Sequence, residues 1–159
     1  MSHLMLSGIF QRFGCVSLAL FALALADSAR AGGGTNVTVQ AQLVWGTNLK
    51  ESSSKDHKPI DGKTAEDLKK VFKWENYFVI KTEIVDLVKG KQQALKMSDQ
   101  CAIEIKAVGD DKFEVVLMGK GERVAKGTQK MPPGEKVFLM GVSENESSWL
   151  VILKQKKEK

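Results

Sequence analysis

The sequence predicts an all-β fold, a mainly antiparallel sandwich or barrel of about 7–8 strands, with one short α-helix between the first and second strands. Three observations carry this expectation. Apolar and polar residues alternate through most of the chain after residue 36, which is the period of a half-buried strand. Turn-forming clusters recur about every ten residues, at "KGK" 89–91, "SDQ" 98–100, "GDD" 109–111, "GKG" 119–121, "PPGE" 132–135 and "SENES" 143–147. A helical stripe is supported only in "TAEDLKKVF", residues 64–72. The linkers are short, so consecutive strands should be antiparallel neighbours.

The first strand is "NVTVQAQLVW", with Val37, Val39, Ala41, Leu43 and Trp45 on one face and Thr38, Gln40 and Gln42 on the other. Residues 46–63, "GTNLKESSSKDHKPIDGK", are polar and without an apolar period. They read as a long exposed loop, and such a loop inside a compact domain is either functional or mobile. The helix is expected over 64–72. Thr64 caps it, Glu66 and Asp67 favour its positive end, and Leu68, Val71 and Phe72 form its apolar stripe. "NYFVIKTEIVDLV", "QQALKM", "CAIEIKAV", "KFEVVLM", "ERVAKGT", "KVFLMGV" and "SWLVILK" supply the remaining strands.

The expected core anchors are Phe72, Phe78, Ile103, Ile105, Phe113, Val115, Leu117, Trp149, Val151 and Leu153, and Phe78 opens a face shared with Ile80 and Ile84. "WLVIL" is apolar on both faces and reads as a central strand, with "VFLM" as its neighbour.

Residues 1–31 read as a cleaved signal peptide. Arg12 precedes the apolar run Phe13–Ala26, and Ala29 and Ala31 place small residues where a signal peptidase cuts. The run is shorter than the roughly 20 residues a spanning helix needs, so no stable membrane span is expected after cleavage. Cys15 stands at the start of the run, where a lipoprotein cysteine would follow it. Residues 32–36 form a flexible leader, 37–154 a single β-rich domain and 155–159 a basic tail. The plain reading of "KQKKEK" is a frayed solvated end, and the sharper one is an electrostatic tether to an anionic lipid, glycan phosphate or acidic partner. The mature chain holds one cysteine, Cys101, expected as a small buried hydrophobe. A disulfide dimer or a reactive thiol is the alternative.

The residue inventory is poor in catalytic groups. His57 is the only histidine after the signal segment. Ser54, Asp56, His57 and Asp61 share one polar stretch that does not hold the rigid geometry a relay requires. One histidine and one cysteine do not make a zinc site, and "DHKPIDGK" lacks the ligand array of a calcium loop. Asp110 and Asp111 are hairpin-turn residues. "GKG" and "KGK" are tight turns, because no helix start follows them as a phosphate loop requires. The chain carries a formal net charge of +5, yet its cations are almost all Lys and its strand aromatics sit on core faces, so nucleic acid is not an expected partner. The sequons at Asn36 and Asn145 are chance matches. No cofactor is implied.

The segments "VQAQLVWGTN", "KVFKWENYFVI", "LKMSDQCAIEI" and "SWLVILK" together resemble a group of short exported proteins of Gram-negative bacteria to which no activity is assigned. The resemblance implies a periplasmic location and brings no site residues with it.

The function expected is that of a non-enzymatic exported envelope domain, periplasmic or secreted, acting through protein–protein contacts at a sheet edge or the long loop. The alternative is a module binding glycan or cell wall, an anionic glycan among them, through Trp74, Glu75, Asn76 and Tyr77, where aromatic faces lie beside amide and acid groups. A hydrolase built on loop 46–63 is a third and weaker reading.

Overall fold

The computed structural model describes residues 36–141 and 147–157. The expected signal segment with Cys15, the leader through residue 35, the turn residues 143–146 and the last two residues of the tail lie outside the described residues. The element order is β1 (Asn36–Thr47), β2 (Lys58–Pro59), α1 (Gly62–Val71), β3 (Asn76–Val88), β4 (Gln92–Lys96), β5 (Cys101–Ala107), β6 (Lys112–Gly119), β7 (Glu122–Lys130), β8 (Lys136–Met140) and β9 (Ser148–Gln155).

Two antiparallel sheets form a sandwich, one of five strands in the order β2-β3-β1-β9-β8 and one of four in the order β4-β5-β6-β7. No barrel closes among the described residues. The helix lies between the first two long strands, because β2 is a two-residue strand inside the expected loop. Chain reversals use the expected turn chemistry. Lys120 and Gly121 both have positive φ, 52° and 83°, the geometry of a two-residue hairpin whose twist matches its strands. Glu135 N–H donates to Pro132 O at 3.0 Å around Pro133 and Gly134, and Gly134 at φ 90° meets the demand of a type II turn.

The inward faces make the main core. Ile103, Ile105, Phe113, Val115, Leu117, Val151 and Leu153 are buried there, joined by Val39, Ala41, Leu43, Val85 and Leu87. Trp149 is half-buried against the same core. A Cβ on Gly141 would lie 2.5 Å from its ring and one on Gly119 3.1 Å away, so two glycines make the slot that this ring fills.

The five-stranded sheet also has a second core on its outer face. Val44, Ile60, Leu68, Trp74, Tyr77, Leu150 and Ile152 are buried there, with Ala65, Phe72, Val79 and Phe138 against them. β9 therefore feeds both cores, Val151 and Leu153 inward and Leu150 and Ile152 outward, as a central strand flanked by β1 and β8. Only part of the outer face is covered. Further along it Thr38 Oγ1 donates to Asp86 at 2.6 Å and Gln42 to Thr82 Oγ1 at 3.3 Å, polar cross-strand pairs that face water.

Three sequence expectations are corrected. The helix starts earlier than residue 64. Asp61 is the N-cap, its Oδ1 accepting from Thr64 N–H at 3.0 Å and its Oδ2 from Thr64 Oγ1 at 2.6 Å. Thr64 is buried instead of capping, and Lys136 Nζ donates to its hydroxyl. The helix stripe is Thr64, Ala65 and Leu68, continued by Phe72 at the C-cap, while Val71 is 64% exposed. Finally, Ile84 does not share the face of Phe78 and Ile80. Leu43 pairs with Lys81 but Val44 with Val79, so Ile80 is an extra residue in β3. Such a bulge reverses the alternation beyond it, and Ile84 emerges outward at 55% exposure, while Phe78 is buried and Ile80 packs inward.

The Asp61 carboxyl is held below its ordinary value near 3.8, first by the Thr64 hydroxyl, then by the Thr64 N–H, with Lys136 adding to the effect and burial opposing it. Asp61→Ala is expected to destabilise the domain by about 1 kcal/mol at neutral pH. A carboxyl depressed in the fold contributes stability above its unfolded pKa and loses it as pH falls through the folded one. The gap in thermal midpoint between the native chain and Asp61→Asn should therefore shrink as the pH falls below the carboxyl's ordinary value near 3.8. A gap independent of pH would show that the carboxylate charge does not make the cap.

Candidate functional site

The aromatic corner "KWENY" follows the helix. Phe72, the C-cap, is extended at φ −122° and ψ 153°, which starts an in–out alternation. Phe72 packs half-buried on the outer core and Lys73 is exposed; Trp74 is buried and Glu75 is exposed. Trp74 is only 4% exposed and Tyr77 only 3%. The Trp74 ring stacks on Phe72 at 5.9 Å and an interplanar angle of 27°, while Phe72 meets Phe138 edge-on at 6.5 Å. Gly46 of β1 makes the room, since a Cβ there would stand 2.8 Å from Trp74 and 3.2 Å from Tyr77. Burial pushes the Tyr77 phenol up, opposed by the Trp74 backbone.

The four residues expected to bind glycan are thus divided between two environments. Trp74 and Tyr77 turn into the outer core, and Glu75 and the half-buried Asn76 remain at the surface. Glu75 N–H donates to Asn48 Oδ1 at 3.1 Å. A sugar needs an open ring face, and neither buried ring offers one.

The 46–63 segment is more ordered than a structureless loop. Gly46 and Thr47 continue β1, and Lys58 and Pro59 pair with Val79 and Phe78. Ile60 N–H donates to Tyr77 O at 3.0 Å, and the Ile60 side chain is buried. Within the segment His57 Nδ1 meets Ser52 Oγ at 2.7 Å, and the same hydroxyl accepts from Ser54 N–H at 3.4 Å. Ser54 Oγ accepts from Asp56 N–H at 3.3 Å. These are turn-closing bonds of short polar side chains. The histidine's hydroxyl partner is Ser52 instead of Ser54, and Asp61 is engaged in capping the helix. Ser54, Asp56, His57 and Asp61 are not brought into a relay. Among the described residues no group of three or more His, Cys, Asp or Glu is placed to hold a metal ion.

Cys101 is 4% exposed in the inner core, and burial pushes its thiol up to about 11. At neutral pH so little thiolate forms that neither a reactive nor a disulfide-forming role suits it.

The surfaces left open are sheet edges and the mouths of the sandwich. The edges differ in chemistry. β3 carries the bulge at Ile80 and the ion pair Lys81–Glu83 at 2.8 Å. β7 carries Arg123, Lys126 and Lys130, and β4 carries Gln92, Gln93 and Lys96. Charges and bulges of this kind keep an edge from pairing with another chain. β8 differs, because Val137, Phe138, Leu139 and Met140 follow Lys136 without a charge or a bulge. Val137 and Leu139 pack on the inner core, Phe138 on the outer one, and Met140 is 44% exposed. Among the described residues no strand pairs with the outer side of β8.

One mouth of the sandwich holds a cavity of about 340 Å³ between the start of β1, the end of β9 and the β5–β6 turn. The sequence points to β8 through its uninterrupted apolar run, whereas nothing in composition or spacing marks this cavity, which depends on how two sheets end together. No family model, no curated protein and no solved structure matches the chain.

Proposed function

We propose that the chain is a non-enzymatic exported envelope domain that acts through protein–protein contacts, and that the contact is strand addition at the outer edge of β8. The observation that carries this reading is the contrast between β8, apolar and unguarded, and the guarded β3, β4 and β7. An added strand gains affinity from main-chain hydrogen bonds and specificity from alternate side chains. On β8 those side chains would lie beside Val137 and Leu139 on one face and beside Phe138 and Met140 on the other. The occupant is an extended, alternately apolar segment of a partner protein. Export is supported by the apolar run 13–26 followed by Ala29 and Ala31.

The glycan reading loses its main support with the burial of Trp74 and Tyr77. A photo-crosslinking residue in place of Met140, in cells, tests the proposed contact. The expected outcome is one discrete adduct that maps to an extended apolar segment of the partner, with none from the same group in place of Lys126 on β7. No adduct at either position, or equal labelling of both edges, would overturn the proposal.

A further inference from the structure

The inward series of β9 is Trp149, Val151, Leu153 and then Gln155, so an amide stands where the pattern calls for an apolar residue. Gln155 is 7% exposed. Its Oε1 is enclosed and has no hydrogen-bond partner among the described residues. A buried acceptor left unpaired in a folded chain calls for a donor from outside the protein, a water or a ligand. Gln155 borders the 340 Å³ cavity at the sandwich mouth, and a ligand there reaches the enclosed oxygen only if the side-chain amide rotates toward the cavity.

The remaining walls define what fits. Val37, Ala107 and Pro133 form an apolar side. The rim carries three lysines. Lys89 is neutralised by Asp110 at 2.9 Å. Among the described residues no carboxylate pairs with Lys156 or Lys157. Lys156 N–H donates to Thr38 O at 2.9 Å, and the Lys157 stem lies over Gly134, where a Cβ would come within 2.8 Å of it. Among the described residues the mouth therefore combines an apolar wall, two cations without a carboxylate partner and one unpaired acceptor.

We propose that this mouth binds a small organic carboxylate that has an apolar body and an N–H beside the carboxylate, the chemistry of an N-acylated apolar amino acid. The apolar group lies against Val37, Ala107 and Pro133. The carboxylate meets Lys156 and Lys157, and the N–H donates to Gln155 Oε1. Pockets of this size are mostly apolar with a few polar groups that orient the ligand. A bare phosphate would leave the apolar wall and the acceptor unused.

The test is a two-dimensional NMR titration of the full domain with four probes. N-acetyl-L-leucine should shift Thr38, Ala107, Gly109 and the Gln155 side-chain amide saturably, with a Kd of about 1 mM for so small a ligand. 4-Methylpentanoate, which lacks the N–H, and N-acetyl-L-leucinamide, which lacks the charge, should each bind about tenfold more weakly. Inorganic phosphate should give no saturable shifts at these residues. Gln155→Leu should keep or raise the thermal midpoint while weakening N-acetyl-L-leucine about tenfold. The exposed double variant Lys156→Gln, Lys157→Gln should erase the preference for the acid over the amide. Absence of saturable shifts, equal binding of 4-methylpentanoate and N-acetyl-L-leucine, or phosphate binding as tightly as the amino acid would overturn the proposal.

Discussion

Trp74→Ala is expected to destabilise the domain by about 3–5 kcal/mol, the cost of removing a large buried aromatic from a close-packed site. Trp74 is 4% exposed and fills the space between Phe72, Gly46 and the outer face of the five-stranded sheet. With the ring gone, the outer core that also holds Leu68, Leu150 and Ile152 loses one of its largest members. Guanidinium titration followed by far-ultraviolet circular dichroism reads the loss as a lower midpoint with an unchanged slope. A ring held at the surface for ligand stacking would give a change within about 0.5 kcal/mol, and that result would return Trp74 to the list of binding residues. Gly46 sharpens the experiment. Gly46→Ala should itself cost about 1–3 kcal/mol through overpacking against the indole. In the Trp74→Ala background the added methyl should cost much less, because the atoms it strikes are absent.

Phe113→Ala is expected to cost a similar amount, about 3–5 kcal/mol, in the inner core. Phe113 is fully buried on β6, opposite Ala107 of β5 and Gln129 of β7. Its void would open beside Ala107, which also lines the sandwich mouth, so water entry can hold the loss toward the lower end of that range. The two cores lie on opposite faces of one sheet, and their clusters share no residue. Losses at Trp74 and Phe113 should therefore add to within about 0.5 kcal/mol. A loss below about 1 kcal/mol for Phe113→Ala in the same titration would mean that the inner core is not packed around this ring.

The legible parts of the fold rest on short-range rules. β5 and β6 alternate so regularly that Ile103, Ile105, Phe113, Val115 and Leu117 could be assigned inward from spacing, and all five are buried. "WLVIL" showed a strand with two buried faces, and it has them. "PPGE" and "GKG" place Gly134 and Gly121 at positive φ as their turns require, while Lys120 takes the other positive-φ position without being glycine. Where the reading went wrong, a small local choice had a larger consequence. Asp61 and Thr64 are both good caps, and the earlier one takes the position while the later one is buried beneath Lys136. One extra residue at Ile80 turned Ile84 from core to surface, and alternation alone does not reveal a bulge.

The candidate sites were less legible than the fold. "KWENY" has the composition of a sugar platform, but exposure at a corner depends on what packs over it. Here Gly46, nearly thirty residues earlier, admits the Trp74 ring, and Phe138 from β8 closes on Phe72. Gln155 looked like the first residue of a solvated tail, yet it closes the inner face of β9.

The sequence by itself determined the antiparallel β class, eight of the nine strands, the places of the turns, the single helix and most of the inner core, because period and turn chemistry act over a few residues. Only the tertiary structure decided which faces stay open. It buried Trp74 and Tyr77, left β8 as the unguarded edge, and set Gln155 at a cavity where two sheets end together. These outcomes depend on contacts between segments far apart in the chain, and no local pattern encodes the void or the cover that such contacts create.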